Sequence, residues 1–154
     1  MIRLNRTTEY GLMALRYMSR REGCTSAREI ADTYGLPFEI TAKTLLRLKD
    51  VGLIQSTQGA RGGYTLQRKM KDVTLAQFLE MMEGPQFLVS CTAELGQEQD
   101  CEYRPRCEIQ HVLGDLNHRI LRFFSGISLA ELTDPGVRLP AERLLQAYVP
   151  EEPG

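Results

Sequence analysis

Three of the four cysteines in this 154-residue chain, Cys91, Cys101 and Cys107, fall in one polar stretch, SCTAELGQEQDCEYRPRCEIQH, residues 90–111. Thiolates are soft ligands, suited to Zn2+, Cu(I) and iron–sulfur clusters. The spacing Cys91-x9-Cys101-x5-Cys107 contains no tight pair of the kind a structural zinc site draws on, which disfavours a zinc knuckle. Long, loop-borne spacings suit a larger object such as an iron–sulfur cluster. Three thiolates leave one iron position open. His111 lies four residues past Cys107, so a single helix carrying both would present them on one face. The flanking residues Glu94, Glu98, Asp100, Glu102 and Glu108 make fast peroxide-type thiol chemistry a poor fit. Cys24 stands apart, after the first expected helix, and reads as a small buried apolar residue.

The elements that must position these thiols are those of an ordinary globular chain. Hydrophobic residues make up 42% and charged residues 25%, and no apolar run is long enough to cross a bilayer. The opening MIRLNRTTEYGLMALRYMSRRE carries charges throughout, unlike a secretory signal. The expected compartment is therefore the reducing cytoplasm, with no membrane partner. There, clustered cysteines point to metal or redox chemistry rather than a disulfide framework. The net charge of −1 hides an asymmetry. Residues 1–72 hold 13 Lys/Arg against 7 Asp/Glu, and residues 73–154 hold 6 against 13. A basic half joined to an acidic half suggests a polyanion-binding module carrying a second function.

Apolar positions at Tyr10, Met13, Ala14, Tyr17 and Met18 have helical spacing, with Thr7 or Thr8 as N-cap and Gly23 as the stop. Ser26 and Glu29 make a capping box for a short helix ending at Gly35. Pro37 suits the first turn of a third helix, which runs to about Val51 with Ile40, Thr44, Leu45 and Leu48 on its inner face and Gly52 as its stop. Leu53, Gln55 and Thr57 alternate as a strand. Gly59, Gly62 and Gly63 supply a turn, and Tyr64, Leu66 and Arg68 return. A helix over residues 74–83 ends at Gly84-Pro85. An apolar stripe of Ile109, Val112, Leu113, Leu116, Ile120, Phe123 and Phe124 marks a long amphipathic helix from about Arg106 to Phe124. A short helical turn over 128–132 and a Pro-rich, partly flexible tail follow.

Three short helices and a Gly-tipped hairpin give a mainly α fold class: a winged helix-turn-helix with a two-stranded wing, plus a long C-terminal amphipathic helix, which the family resemblance given below makes the dimerisation helix. Residues 1–84 form the DNA-binding domain, 85–106 the cysteine-bearing loop, 107–133 the dimerisation helix with the short helix after it, and 134–154 the tail. In this architecture the third helix enters the major groove of a double-stranded operator and the hairpin lies along the backbone or minor groove. Glu39, Thr41, Ala42 and Lys43 are the early exposed positions of the third helix. Glu39 suits a cytosine amino group and Thr41 a thymine methyl. Arg47 and Lys49 are placed for phosphates, and Arg61 at the wing tip for a narrow minor groove. Ser26, Arg28 and Gln58 complete the expected DNA-contacting set.

The blocks RLNRTTEYGLMAL, EIADTYGLPFEITAKTLLRLKDVGLIQSTQGARGGYTL and VTLAQFLEMMEG, then the cysteines, a helix and ISLAEL, together resemble the IscR/NsrR/RirA-type bacterial transcription regulators. The resemblance covers about residues 1–133. It implies a homodimer with two winged-helix heads, paired long helices, and a 2Fe–2S or 4Fe–4S cluster as sensor on Cys91, Cys101 and Cys107. It implies a regulator, usually a repressor, whose DNA affinity follows the cluster, as in a redox sensor. It also offers Glu9, in the first helix of the other subunit, as the fourth ligand in the manner of NsrR-like members. IscR-like members carry a histidine three residues past the last cysteine, where this chain has Gln110, so His111 is displaced by one. The nine-residue first gap is longer than the family's, which leaves the cluster type open. The family's operator-discriminating glutamate falls on Ala42, implying a changed operator preference.

Two other readings compete. One is a cluster-free regulator of the same fold that senses a small ligand, or uses the thiols for zinc or disulfide switching. The other is an enzyme, which the sequence disfavours: it has two histidines, no G-x-S-x-G and no P-loop, since GARGG lacks the terminal G-K-[ST].

Overall fold

The computed structural model describes residues 3–59, 62–89, 103 and 106–134. Helix α1 spans Arg6–Ser19, α2 Ala27–Tyr34 and α3 Phe38–Asp50. Strands β1, Ile54–Thr57, and β2, Gly63–Leu66, pair antiparallel with Ile54 opposite Leu66 and Thr57 opposite Gly63. A 3-10 turn at Met70–Asp72 leads to α4, Leu75–Glu83. Helix α5 spans Gln110–Ser125 and α6 Leu129–Thr133.

Asn5, not Thr7 or Thr8, caps α1. Its Oδ1 accepts from the Thr8 amide at 2.8 Å and from the Thr8 hydroxyl at 3.0 Å, so the helix begins at Arg6. The helix stops at Ser19, short of Gly23, which sits at φ 93 in the turn beyond. The Ser26–Glu29 capping box of α2 forms as expected, and Gly35 closes that helix in the left-handed region.

The core gathers Leu15, Ile30, Leu45, Leu48, Leu53, Ile54, Phe78, Leu79 and Leu129, all essentially buried. Each such side chain stabilises the fold by about 1.5–3 kcal/mol relative to exposure. Gly11 lets α1 approach α4. A Cβ there would stand 3.3 Å from both Phe78 Cζ and Met82 Cε.

Leu129 shows that α6 packs into the same core as α1–α4 and the hairpin. Helices α4 and α6 start side by side, each on its own capping box, Thr74 with Gln77 and Ser128 with Glu131. The Leu75 amide donates to the Ile127 carbonyl at 2.7 Å and the Leu129 amide to the Val73 carbonyl at 2.8 Å. These bonds satisfy first-turn amides that a helix start otherwise leaves open. No helix among the described residues is long and apolar enough to cross a membrane.

Candidate functional site

Helices α2 and α3 and the hairpin make the head's helix-turn-helix and wing. The wing is tied to the helices by backbone. The Thr25 amide donates to the Tyr64 carbonyl at 2.9 Å and the Tyr64 amide to the Thr25 carbonyl at 2.8 Å. Thr25 directly precedes the α2 cap, so β2 and the start of α2 are held together. Gly63 permits this approach, because a Cβ there would stand 2.7 Å from the Thr25 carbonyl oxygen.

Most of α3 faces as the sequence suggests, with Thr44, Leu45 and Leu48 buried and Glu39 and Lys43 exposed, but Ile40 and Thr41 exchange places. Thr41 is 1% exposed and Ile40 is 41% exposed, the reverse of what their polarity suggests. Thr41 Oγ1 donates to the Pro37 carbonyl at 3.0 Å and Thr44 Oγ1 to the Ile40 carbonyl at 2.8 Å. Each hydroxyl is satisfied inside its own helix, so both threonines can be buried without an unpaired polar group. Thr41 therefore cannot meet a thymine methyl. The exposed face at helical spacing is Glu39, Lys43, Leu46 and Asp50, with Ala42 half-buried on its flank.

Arg47 also departs from its expected role. Its Nη2 donates to the Met81 carbonyl in the last turn of α4 at 2.7 Å. It joins α3 to α4 instead of standing ready for a phosphate. Lys49 and Gln58 are exposed, and Arg61 lies outside the described residues. Ser26 is half-buried, with its hydroxyl engaged by the Glu29 amide at 3.1 Å. Arg28 is exposed, with its guanidinium carbon 4.3 Å from the centroid of the Phe38 ring.

Of the thiols, Cys91 and Cys101 lie outside the described residues. Cys107 is a half-buried free thiol. Helix α5 begins at Gln110, so Cys107 precedes it and the shared helix face expected for Cys107 and His111 does not exist. His111 is exposed in the first turn of α5. Glu9 is half-exposed and, among the described residues, its carboxylate makes a loose ion pair with Arg6 at 3.6 Å, worth at most about 1 kcal/mol. Among the described residues no group of three His, Cys, Asp or Glu side chains converges as a metal site. The donor chemistry still fits an iron–sulfur cluster: a free thiol on the segment that carries two more cysteines, and a carboxylate that little else holds.

Cys24 is exposed, and its Sγ lies 3.2 Å from Thr57 Oγ1 at the end of β1. The expectation of a buried apolar residue fails because the turn after α1 runs along the surface toward the wing.

Three anchors carried no clear sequence signal. Glu83 Oε1 accepts the Asn5 amide at 3.0 Å, tying the start of α1 to the end of α4. Asn117, 8% exposed, accepts the Leu88 amide at 2.9 Å, tying the chain after α4 to the middle of α5. Phe38 bears the Arg28 guanidinium. The polar interruption of the α5 stripe at Asn117 was the one available hint.

The model of the Rrf2 family, described as "Iron-dependent Transcriptional regulator", matches residues 4–135. The chain belongs to the Rrf2 family. This Rrf2 chain is 27% identical over 135 residues to the HTH-type transcriptional repressor NsrR of Streptomyces coelicolor, covering 84% of the chain and 86% of that protein. It is 27% identical over 114 residues to the HTH-type transcriptional regulator IscR of Photorhabdus laumondii, covering 74% of the chain and 67% of that protein. Its fold is similar to that of CymR, the global cysteine regulator of B. subtilis, with a TM-score of 0.65 at 23% identity over 86% of the chain and 97% of that structure. T. potens IscR gives a TM-score of 0.60 at 24% identity over 84% of each chain. The Rrf2 chain is thus a DNA-binding transcriptional regulator and not an enzyme.

Proposed function

We propose that this Rrf2 regulator acts as a homodimeric repressor whose affinity for its double-stranded operator is set by an iron–sulfur cluster. Cys91, Cys101 and Cys107 hold it, with Glu9 of the partner subunit as fourth ligand and His111 as the alternative. When bound, such a cluster supplies a centre sensitive to redox state and to attack by small molecules.

The observation that supports this reading is that α5 holds the chain before the cysteine segment and follows directly on the last cysteine. Before the segment, the Leu88 amide is held by Asn117 of α5. After it, the Cys107 thiol stands three residues ahead of the first residue of α5. Exposed Ile109, Val112 and Leu116 on and just before α5 offer an apolar seam for a second copy.

The last turn of α4 connects this segment to the DNA-binding surface. It receives Arg47 from the recognition helix α3 at Met81 and the start of α1 at Glu83. Helix α1 carries Glu9 one turn further on. Pulling or releasing Glu9 and the cysteine segment therefore strains the turn that fixes α3.

The test is the affinity for a duplex selected from a random-sequence pool, measured on protein reconstituted with iron and sulfide and again after chelation. The reading requires the two affinities to differ, and Cys91→Ala, Cys101→Ala and Cys107→Ala each to abolish the difference. Equal affinities in the wild-type protein would sink it and favour the cluster-free alternative.

A further inference from the structure

Two cations of the head lie over aromatic rings, and they are not equivalent. Arg21 stands 4.4 Å from the Tyr17 centroid but also pairs with the Glu29 carboxylate at 3.0 Å, so its charge is answered within the protein. Arg28 stands 4.3 Å from the Phe38 centroid. Among the described residues no carboxylate pairs with it. A ring beneath a planar guanidinium covers one face and leaves the in-plane N–H donors directed outward. That arrangement fixes the group without consuming its hydrogen bonds.

The placement is specific. Arg28 is the second residue of α2 and Phe38 the first of α3. In a helix-turn-helix the recognition helix enters the groove while the helix before it crosses the backbone. The pair therefore sits at the junction of the two. Phe38 is 41% exposed, a large apolar group at a helix start where neither capping nor core packing requires one.

We propose that Phe38 is a positioning residue for operator binding, holding Arg28 over its ring at the leading edge of α3 so that its N–H fork meets a phosphate of the DNA backbone. The proposal rests on the DNA-binding function of the head and goes beyond it by assigning one phosphate contact and the ring that prepares it. A planar, bidentate donor set matches a phosphate, which is why Arg rather than Lys suits the position.

The experiment is titration of the full-length protein against a labelled duplex selected by the wild-type protein from a random pool, repeated across a salt series. Arg28→Ala lowers the log–log salt slope by about 0.9 per subunit, the value for one lost phosphate contact. Arg28→Lys keeps the slope and weakens binding. Phe38→Leu keeps the slope and weakens binding about threefold, while Phe38→Tyr restores wild-type affinity. Combined with Arg28→Ala, Phe38→Leu adds no further loss. An unchanged slope in Arg28→Ala, or a full Phe38→Leu loss persisting without Arg28, overturns the proposal and leaves DNA binding intact. Failure of the wild-type protein to select any duplex overturns both.

Discussion

Arg47 Nη2 donates to the Met81 carbonyl oxygen at 2.7 Å, joining the recognition helix to the last turn of α4. The bond is charge-assisted but exposed to solvent, which reduces its value. Arg47→Ala is expected to lower unfolding stability by about 1 kcal/mol. It should leave the salt dependence of DNA binding unchanged, because this guanidinium serves the protein and not a phosphate. Denaturant titration and a salt series check both parts. A slope reduced by about one unit per subunit would contradict the assignment.

Ser26 separates capping from DNA contact. Its side chain is committed to the α2 capping box, so Ser26→Ala should cost about 1 kcal/mol in stability. Ser26→Asp keeps the cap and should keep the unfolding midpoint. It adds a negative charge beside the α2 start, so DNA affinity should fall about fivefold at low salt. An Asp variant with both wild-type stability and wild-type affinity would remove this helix end from the interface.

Gly63 holds the wing against the head. A Cβ there would stand 2.7 Å from the Thr25 carbonyl oxygen, a backbone atom that cannot move alone. Gly63→Ala should lower stability by about 1–3 kcal/mol. It should also raise the hydrogen-exchange rates of the Thr25 and Tyr64 amides, which now donate to each other's carbonyls. Unchanged exchange at those two amides would count against the anchoring role.

Asn117 is the buried residue of α5 and accepts the Leu88 amide. Asn117→Leu removes the acceptor and leaves that amide unsatisfied, at a cost of about 1–3 kcal/mol. The expected signature is faster exchange at Leu88 together with a lower unfolding midpoint. Exchange unaltered at Leu88 would show that the segment is held by other contacts.

The order of helices and the hairpin could be read from the sequence because each boundary had a chemical marker. Ser26 with Glu29, Gly35 and Gly52 did what their residue types require. The first turn of α3 departs from its sequence pattern because polarity is a poor guide when a hydroxyl bonds its own helix. Thr41 reads as exposed and is buried, Ile40 reads as inward-facing and is exposed, and Thr44 is buried as its spacing implies. The bond of Arg47 is not legible, because no sequence pattern announces that a cation will be spent on a carbonyl 34 residues away. The candidate metal site was legible as a set of thiols.

The most direct test of the central claim is native mass spectrometry, with absorption spectra, on protein purified without oxygen. The account predicts a coloured dimer whose extra mass is iron and acid-labile sulfide, with the nuclearity read from that mass. Cys107→Ala should lose it and Cys24→Ser should retain it. Among Glu9→Ala and His111→Ala, the one that loses it names the fourth ligand. A colourless dimer carrying zinc or no metal, even after reconstitution with iron and sulfide, would contradict the account.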